Sequence, residues 1–166
     1  MQRFTNLDQA DVQNANLNEL ITDVAALIQP QLPAAAKIEL DLKPVPPVVC
    51  RPQQMSAVFN NLVSNAIRAL NGDGLVTIST RPQPDAVEVE IRDNGRGLDA
   101  KELAGIFEPG FRVLERRVAA GNWGMFSSRQ IIREHGGEIK IASGAGKGTT
   151  VTINLPTAGT GAMQVS

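Results

Sequence analysis

The chain has 166 residues, 42% of them hydrophobic, which is enough for one ordinary domain with its own core. Its 16 basic and 17 acidic side chains nearly cancel, so no overall field favours nucleic acid or an anionic membrane, and any anion must be bound locally. A single cysteine, Cys50, excludes an internal disulfide and cysteine-rich metal sites and suits a reducing cytoplasm.

The N-terminal segment is too polar for a signal peptide, and no apolar run approaches the roughly 20 residues of a membrane span. We therefore expect a cytoplasmic domain that contacts neither nucleic acid nor membrane, although the full-length protein could carry an anchor elsewhere.

The first predicted helix begins at Asn16, because apolar residues recur at helical spacing after it. These are Leu17, Leu20, Ile21, Val24 and Ile28. Asn16 with Glu19 resembles a capping box, and Pro30 ends the helix. Residues 37–42 alternate as a strand does, and the proline-rich segment 43–51 is predicted to be an extended connection.

The clearest helix is predicted from Pro52 to Leu70, where apolar residues form one continuous stripe. Turn residues at 71–74 then lead into a strand over 75–80. A second strand follows over 87–92, with apolar and charged side chains pointing to opposite faces.

The second half of the chain is less regular at first. Asp99 and Glu102 form a capping-box pattern that opens a short helix through about Ile106, and 107–122 is predicted to be irregular.

A helix is then predicted over 123–134, ending at two glycines, with strands over 138–143 and 149–155. The small, polar tail after Pro156 is expected to be disordered. This order of elements predicts an α+β fold, a two-layer α/β sandwich with helices on one face of a mixed sheet.

One polar ridge on the second helix is a candidate site. Asn61, Asn65 and Arg68 stand at i, i+4 and i+7, opposite the apolar stripe. An amide oxygen can bind a magnesium ion already neutralised by triphosphate, and an arginine can bind phosphate. Alone, the pattern is better explained as a solvated helix face.

A second candidate follows the strand that ends at Arg92. Asp93 could accept a hydrogen bond from an exocyclic amine, and Gly95 and Gly97 would let backbone pass close to a flat base. A simple turn is the alternative, although the capped helix that follows favours function.

These segments resemble the sequence boxes of the histidine-kinase ATPase superfamily (GHKL, Bergerat fold), in the family order and spacing. Residues 61–66 resemble the N box, 93–97 the first glycine box, 106–111 the F box, 135–137 the end of the last helix, and 148–150 with 155–156 the closing strand. The resemblance covers about residues 16–156. It implies a mostly antiparallel sheet with about three helices on one face, a domain over 16–157, a linker over 1–15 from an upstream dimerisation region, and a disordered tail over 158–166.

The resemblance also implies ligands, ATP and Mg²⁺, and the residues that hold them. Asn65 would bind magnesium, and Asp93 would bind the adenine amine. Further residues would line the nucleotide: Asn61 and Arg68 beside the phosphates, Gly95 and Gly97 at the base, Gly121 and Gly124 at the phosphates, and Thr149 at the adenine end. Arg112 would neutralise the terminal phosphate, which makes Asn61, Arg68 and Arg112 the catalytic candidates. Residues 107–122 would form a lid over the nucleotide.

The second glycine box departs from the family pattern. It falls at 120–125, where only Gly124 is in register, Gly121 is displaced by one place, and Asn122 fills a glycine position. Asn122 can adopt the left-handed conformation better than most residues. Trp123 is far larger than the usual leucine and either packs as core or obstructs the phosphate path, so nucleotide affinity is left open.

The resemblance implies a protein-histidine kinase domain of a two-component system. Its only histidine, His135, closes a helix and is interpreted as structural, so the target would lie in a phosphoacceptor dimerisation domain, with a response-regulator receiver domain downstream. The related hydrolases carry a glutamate where this chain has Asn61, and an amide cannot act as a general base. Two alternatives stay open: a degenerate module that binds nucleotide or protein with little catalysis, and an anti-sigma-type serine kinase.

Overall fold

The computed structural model describes residues 12–107, 112–114, 117–119 and 123–157, with backbone alone for 112–114, 117–119 and 123. The helices are α1 (Leu17–Ile28), α2 (Pro52–Arg68), α3 (Ala100–Ala104) and α4 (Trp123–Glu134). The strands are β1 (Gln13–Ala15), β2 (Ala35–Leu42), β3 (Val48–Cys50), β4 (Asp73–Gln83), β5 (Ala86–Asp93), β6 (Arg112–Leu114), β7 (Arg117–Ala119), β8 (Glu138–Ser143) and β9 (Thr149–Pro156).

The main sheet has five strands in the order β2-β4-β5-β9-β8. Strands β2 and β4 are parallel and all the other pairs in this sheet are antiparallel. The predicted α+β fold, a mostly antiparallel sheet with helices on one face, is therefore confirmed. The register places Asp93 opposite Thr149, at the edge where β5 ends and β9 begins.

One core lies between the sheet and helices α1, α2 and α4. The apolar stripe predicted on α2 is buried, as are alternate residues of the central strands. Buried α2 residues are Met55, Val58, Phe59, Leu62, Val63 and Ala66, and they meet Val76, Ile78, Val87, Val89, Ile91, Ile153 and Leu155 of the sheet. The other sheet face carries ion pairs between Arg81 and Glu88 at 3.2 Å and between Arg92 and Glu90 at 3.0 Å.

The small sheet formed by β1 and β3 is absent from the sequence prediction. Gln13 pairs with Cys50, so β1 lies within the segment that we expected to be a linker, and β3 lies within the predicted extended connection. Cys50 is fully buried, and burial raises the pKa of its thiol to about 11. That thiol is a structural group with little thiolate character at neutral pH.

Capping boxes were predicted at the starts of α1 and α3, and only the one at α3 is complete. Asn16 caps α1, but its side chain accepts a hydrogen bond from the amide of Asn18 rather than that of Glu19. Asp99 and Glu102 form the full capping box predicted for α3. No helix in the described ranges is both long and apolar enough to cross a membrane.

Candidate functional site

The carboxylate of Asp93 is buried where β5 ends, with 5% of the residue exposed. Its Oδ1 accepts a hydrogen bond of 2.9 Å from the amide of Gly95. Burial raises the pKa of this carboxyl above its usual value, while the amides of Gly95 and Thr149 and the charge of Arg96 oppose the rise. A hydrogen bond to a buried carboxylate is stronger than one in water, because the surroundings have a low dielectric constant.

The glycine loop after Asp93 docks against the end of α2. A Cβ at Gly95 would lie 2.3 Å from the carbonyl oxygen of Ala69, and the amide of Arg96 donates to that oxygen at 3.0 Å. Ala69 follows Asn65 by one helical turn and its amide bonds the Asn65 carbonyl at 3.1 Å. The glycine loop is therefore in direct contact with the end of α2, one turn after Asn65.

Gly97 serves a second close approach. It has a φ of +72°, and a Cβ there would lie 2.0 Å from the carbonyl oxygen of Gly144. Gly95 and Gly97 thus both make room for neighbouring backbone, and contact with a base stays a prediction for them.

Ser143 joins this loop to the turn between β8 and β9, and the sequence analysis missed it. Its Oγ accepts from the amide of Leu98 at 2.8 Å and donates to the carbonyl of Gly148 at 3.0 Å. Thr149 Oγ1 lies 2.7 Å from the hydroxyl oxygen of Ser143. Because a serine hydroxyl has one proton, Thr149 is the donor in that pair and its oxygen retains acceptor capacity. No sequence signal marks Ser143, since it is one polar residue at a strand end.

Two of the three residues predicted to form a polar ridge on α2 are in contact with each other. The guanidinium of Arg68 donates to Asn65 Oδ1. Arg68 is exposed and Asn65 is half-buried. An amide oxygen already facing a cationic group has the chemistry that a metal ion would need.

Asn61 faces α4 instead. Its Nδ2 donates to Ser128 Oγ at 3.3 Å, and a Cβ at Gly124 would lie 2.1 Å from Asn61 Oδ1. Gly124, the one in-register glycine of the second box, therefore lies directly against the N box, and a side chain there would have to displace the Asn61 amide. Ser128 was also missed by sequence reasoning, although its position four residues after Gly124 puts both on one face of the helix.

The remaining predicted phosphate residues are only partly described. Gly121 and Asn122 lie outside the described residues, as do the side chains of Arg112 and Trp123. The backbone of Arg112 is in β6, paired with Ala119 of β7, within the segment predicted to be irregular.

The start of that segment is attached to α4. The guanidinium of Arg129 lies over the ring of Phe107, 4.5 Å from its centroid, a cation–π contact. Phe107 is thus fixed where the predicted lid begins.

His135 is structural, as its position at the end of α4 suggested. It is 1% exposed, its Nδ1 donates to the carbonyl of Ile131 at 2.7 Å, and its Nε2 accepts from the amide of Arg51 at 3.1 Å. Burial lowers the pKa of the imidazole. Both ring nitrogens are used within the fold, so neither is available to accept a phosphoryl group.

A buried strand-end aspartate, a glycine loop docked on a helix, and two asparagines on that helix lie at one edge of a two-layer sandwich, an arrangement that suits an ATP-binding domain. Residues 50–159 match the family described as "Histidine kinase-, DNA gyrase B-, and HSP90-like ATPase", and the chain belongs to that family.

Relatives and solved structures narrow the likeness to histidine kinases. The chain is 33% identical over 148 residues to sporulation kinase E of Bacillus subtilis, covering 87% of this chain and 20% of that protein. It is 33% identical over 152 residues to the sensor histidine kinase ZraS of Klebsiella oxytoca, covering 89% of this chain and 32% of that protein. The nucleotide-free catalytic domain of histidine kinase ThkA aligns with a TM-score of 0.74 at 26% identity, covering 89% of this chain and 98% of that one. The chain thus spans at most about a third of these two curated relatives.

Proposed function

We propose that this chain binds MgATP and transfers the terminal phosphoryl group to a histidine that is not among its 166 residues. One observation carries the proposal: the hydrogen bond of 3.0 Å between the Arg96 amide and the Ala69 carbonyl. It holds the loop of the buried Asp93 against the end of the helix that presents Asn61, Asn65 and Arg68. A base-recognition group and a phosphate-recognition ridge therefore share one rigid scaffold.

The residues fit adenine at one end and a magnesium triphosphate at the other. Asp93 Oδ1 is held by Gly95, so the second carboxylate oxygen would accept the adenine amine. Asn65 Oδ1 would bind Mg²⁺, which neutralises triphosphate charge when bound. Arg68 and Arg112 would contact phosphate oxygens, and Gly121 and Gly124 would lie at the N-terminal end of the 12-residue α4, where free amides favour anions.

The phosphoryl acceptor has to be another group, because the chain contains one histidine and both nitrogens of that residue are engaged. We infer a dimerisation domain with an accessible histidine as the direct partner, and a response-regulator receiver domain after it. The names of the relatives, a sporulation kinase and a sensor histidine kinase, support this role. We place the reaction in the cytoplasm, where ATP is available.

Hydrolysis as the main activity is disfavoured by Asn61. An amide does not take up a proton at neutral pH, so it cannot activate water as a general base.

A second candidate function is a nucleotide- or protein-binding module with little catalysis. The observation in its favour is the second glycine box, where Asn122 and Trp123 replace the usual residues. The two candidate functions differ in what the phosphate end of the site can do. Asp93 and Asn65 are present in the chain and are compatible with either function.

The experiment is a calorimetric titration of the chain with ATP, ADP and GTP, with and without Mg²⁺. We expect saturable binding of ATP in preference to GTP, strengthened by Mg²⁺. Absence of binding at millimolar MgATP would contradict the kinase. Binding of ADP as tight as that of ATP, with no effect of Mg²⁺, would favour the non-catalytic module.

Transfer is then measured with γ-labelled ATP and an added histidine-bearing dimerisation domain of a related kinase. Acid-labile, alkali-stable label on that domain is expected. Acid-stable label would indicate a serine kinase, and the Asp93→Asn variant is the matched control.

A further inference from the structure

Asn61 is in contact with two residues of α4 that lie one turn apart. Its Nδ2 is 3.3 Å from Ser128 Oγ. A Cβ on Gly124 would lie 2.1 Å from Oδ1, 2.6 Å from Cγ and 2.7 Å from Nδ2 of the same side chain. The amide therefore occupies the space where a side chain at 124 would begin, and Ser128 Oγ accepts a hydrogen bond from its nitrogen one turn further along α4.

Ser128 is unusual for its surroundings. It is 2% exposed and sits on the α4 face that packs against α2, among apolar neighbours such as Met125 and Ile132. A buried hydroxyl costs free energy unless it is hydrogen-bonded. The Asn61 amide supplies a hydrogen bond to the Ser128 hydroxyl. An aliphatic residue at position 128 could have filled the same space without requiring a hydrogen bond.

The consequence for Asn61 is a fixed side chain. A half-buried asparagine on a helix has several rotamers, and holding one of them before the ligand arrives removes part of the ordering cost of binding. The contact also joins α2, which carries Asn65, to the helix whose N-terminus is proposed to receive the phosphates.

We propose that Ser128 is a positioning residue for Asn61, which it holds in the orientation that meets the nucleotide phosphates. The proposal rests on the proposed function, since it assigns Asn61 a role in nucleotide binding. A purely structural Ser128 would instead stabilise the helix pair and have no connection with the ligand.

The test is a double-mutant cycle read out by MgATP affinity. Ser128→Ala should weaken binding about fivefold, the size expected for one lost hydrogen bond. In an Asn61→Ala background the same change should have no further effect, because the group that Ser128 positions is gone. Ser128→Thr keeps the hydroxyl and should restore most of the affinity. Ser127→Ala, an exposed neighbour on the same helix, is the matched control.

Equal losses in both backgrounds would overturn the proposal, as would an affinity unchanged by Ser128→Ala. The side-chain amide signals of Asn61 in the ¹⁵N–¹H spectrum of the nucleotide-free chain give a second readout. They should shift in Ser128→Ala and stay unchanged in Ser127→Ala. If the wild-type chain binds no nucleotide, the proposed function fails first. Asn61 signals unchanged in Ser128→Ala would overturn the positioning role separately.

Discussion

The guanidinium of Arg68 donates a hydrogen bond to the amide oxygen of Asn65, across one turn of α2. That oxygen is the proposed magnesium ligand, so a side chain of the same helix lies where the cation would bind. Magnesium binding at this oxygen would require Arg68 to move, and the proposed phosphate contact would give its guanidinium a new partner. Arg68 is exposed, so we expect the release to cost little, as for other exposed polar pairs.

Replacement of Arg68 should separate these two effects. In Arg68→Met, the Mg²⁺ concentration that gives half-maximal ATP binding should fall about threefold, because an exposed pair is worth roughly 0.2–1 kcal/mol. ATP affinity at saturating Mg²⁺ should fall, since a phosphate contact is lost. ATP titrations at a series of Mg²⁺ concentrations measure both. Arg92→Met, on the outer sheet face, is the control, and an unchanged Mg²⁺ midpoint would refute competition.

The role of Asp93 is best tested by an isosteric change. Asp93→Asn can keep the Oδ1 bond to the Gly95 amide but replaces the second acceptor oxygen with a donor. We expect ATP affinity to fall at least tenfold, about 1.4 kcal/mol, with little change in melting temperature. Asp93→Ala should also lower the free energy of unfolding by about 1–3 kcal/mol, because it leaves the buried Gly95 amide unpaired. Calorimetry and thermal unfolding distinguish the variants, and full ATP affinity in Asp93→Asn would exclude the adenine contact.

His135 gives the chain a pH dependence with a defined sign. Its folded-state pKa lies below the usual 6.5 because the ring is buried. Between that lowered value and 6.5 the unfolded chain binds more protons, so stability falls as pH decreases through this window and is fully present above it. Asp93 has a raised pKa in the folded chain, so at lower pH its protonation increases stability as the pH decreases.

Urea unfolding between pH 7.5 and 5 measures this loss. The ring signal of the only histidine reports its pKa directly, and the slope just below pH 6.5 should vanish in His135→Gln. A titration midpoint at or above 6.5 would contradict the buried, neutral ring.

Strong periodicity made most of the fold predictable. Helix α2 and strand β5 each bury one regular set of apolar residues, so their patterns specify both the element and its inner face. Strands β1 and β3 are three residues each and exist through their pairing with each other, which a local pattern cannot reveal. The prolines before β3 favoured a connection over a strand.

The candidate site also has a part that the local sequence predicts and a part that it does not. Asp93 and Asn65 could be proposed as site residues from the sequence, because the motif that contains each of them is contiguous. The contact of Asn61 with Ser128 joins residues 67 apart and depends on how α2 and α4 cross. Only the packed helices reveal it, and they also show that the Asn61 amide lies where a side chain at position 124 would begin.

Gly124 should therefore resist substitution even though it lies in a helix. Gly124→Ala would gain about 1 kcal/mol of helix propensity, but the new Cβ would lie 2.1 Å from Asn61 Oδ1. Overpacking of this kind costs roughly 1–3 kcal/mol, so we expect a net loss of stability and weaker ATP binding. Gln130→Ala, exposed on the same helix, should gain propensity without either loss.

A second substitution shows whether the loss comes from that clash. Asn61→Ala removes the atoms that the new Cβ would meet, so Gly124→Ala with Asn61→Ala should unfold at a higher denaturant concentration than Gly124→Ala alone. ATP affinity should stay low in the double variant, because the Asn61 amide is absent. If the double variant were less stable than either single one, the cost of Gly124→Ala would have to come from a part of α4 other than its contact with Asn61.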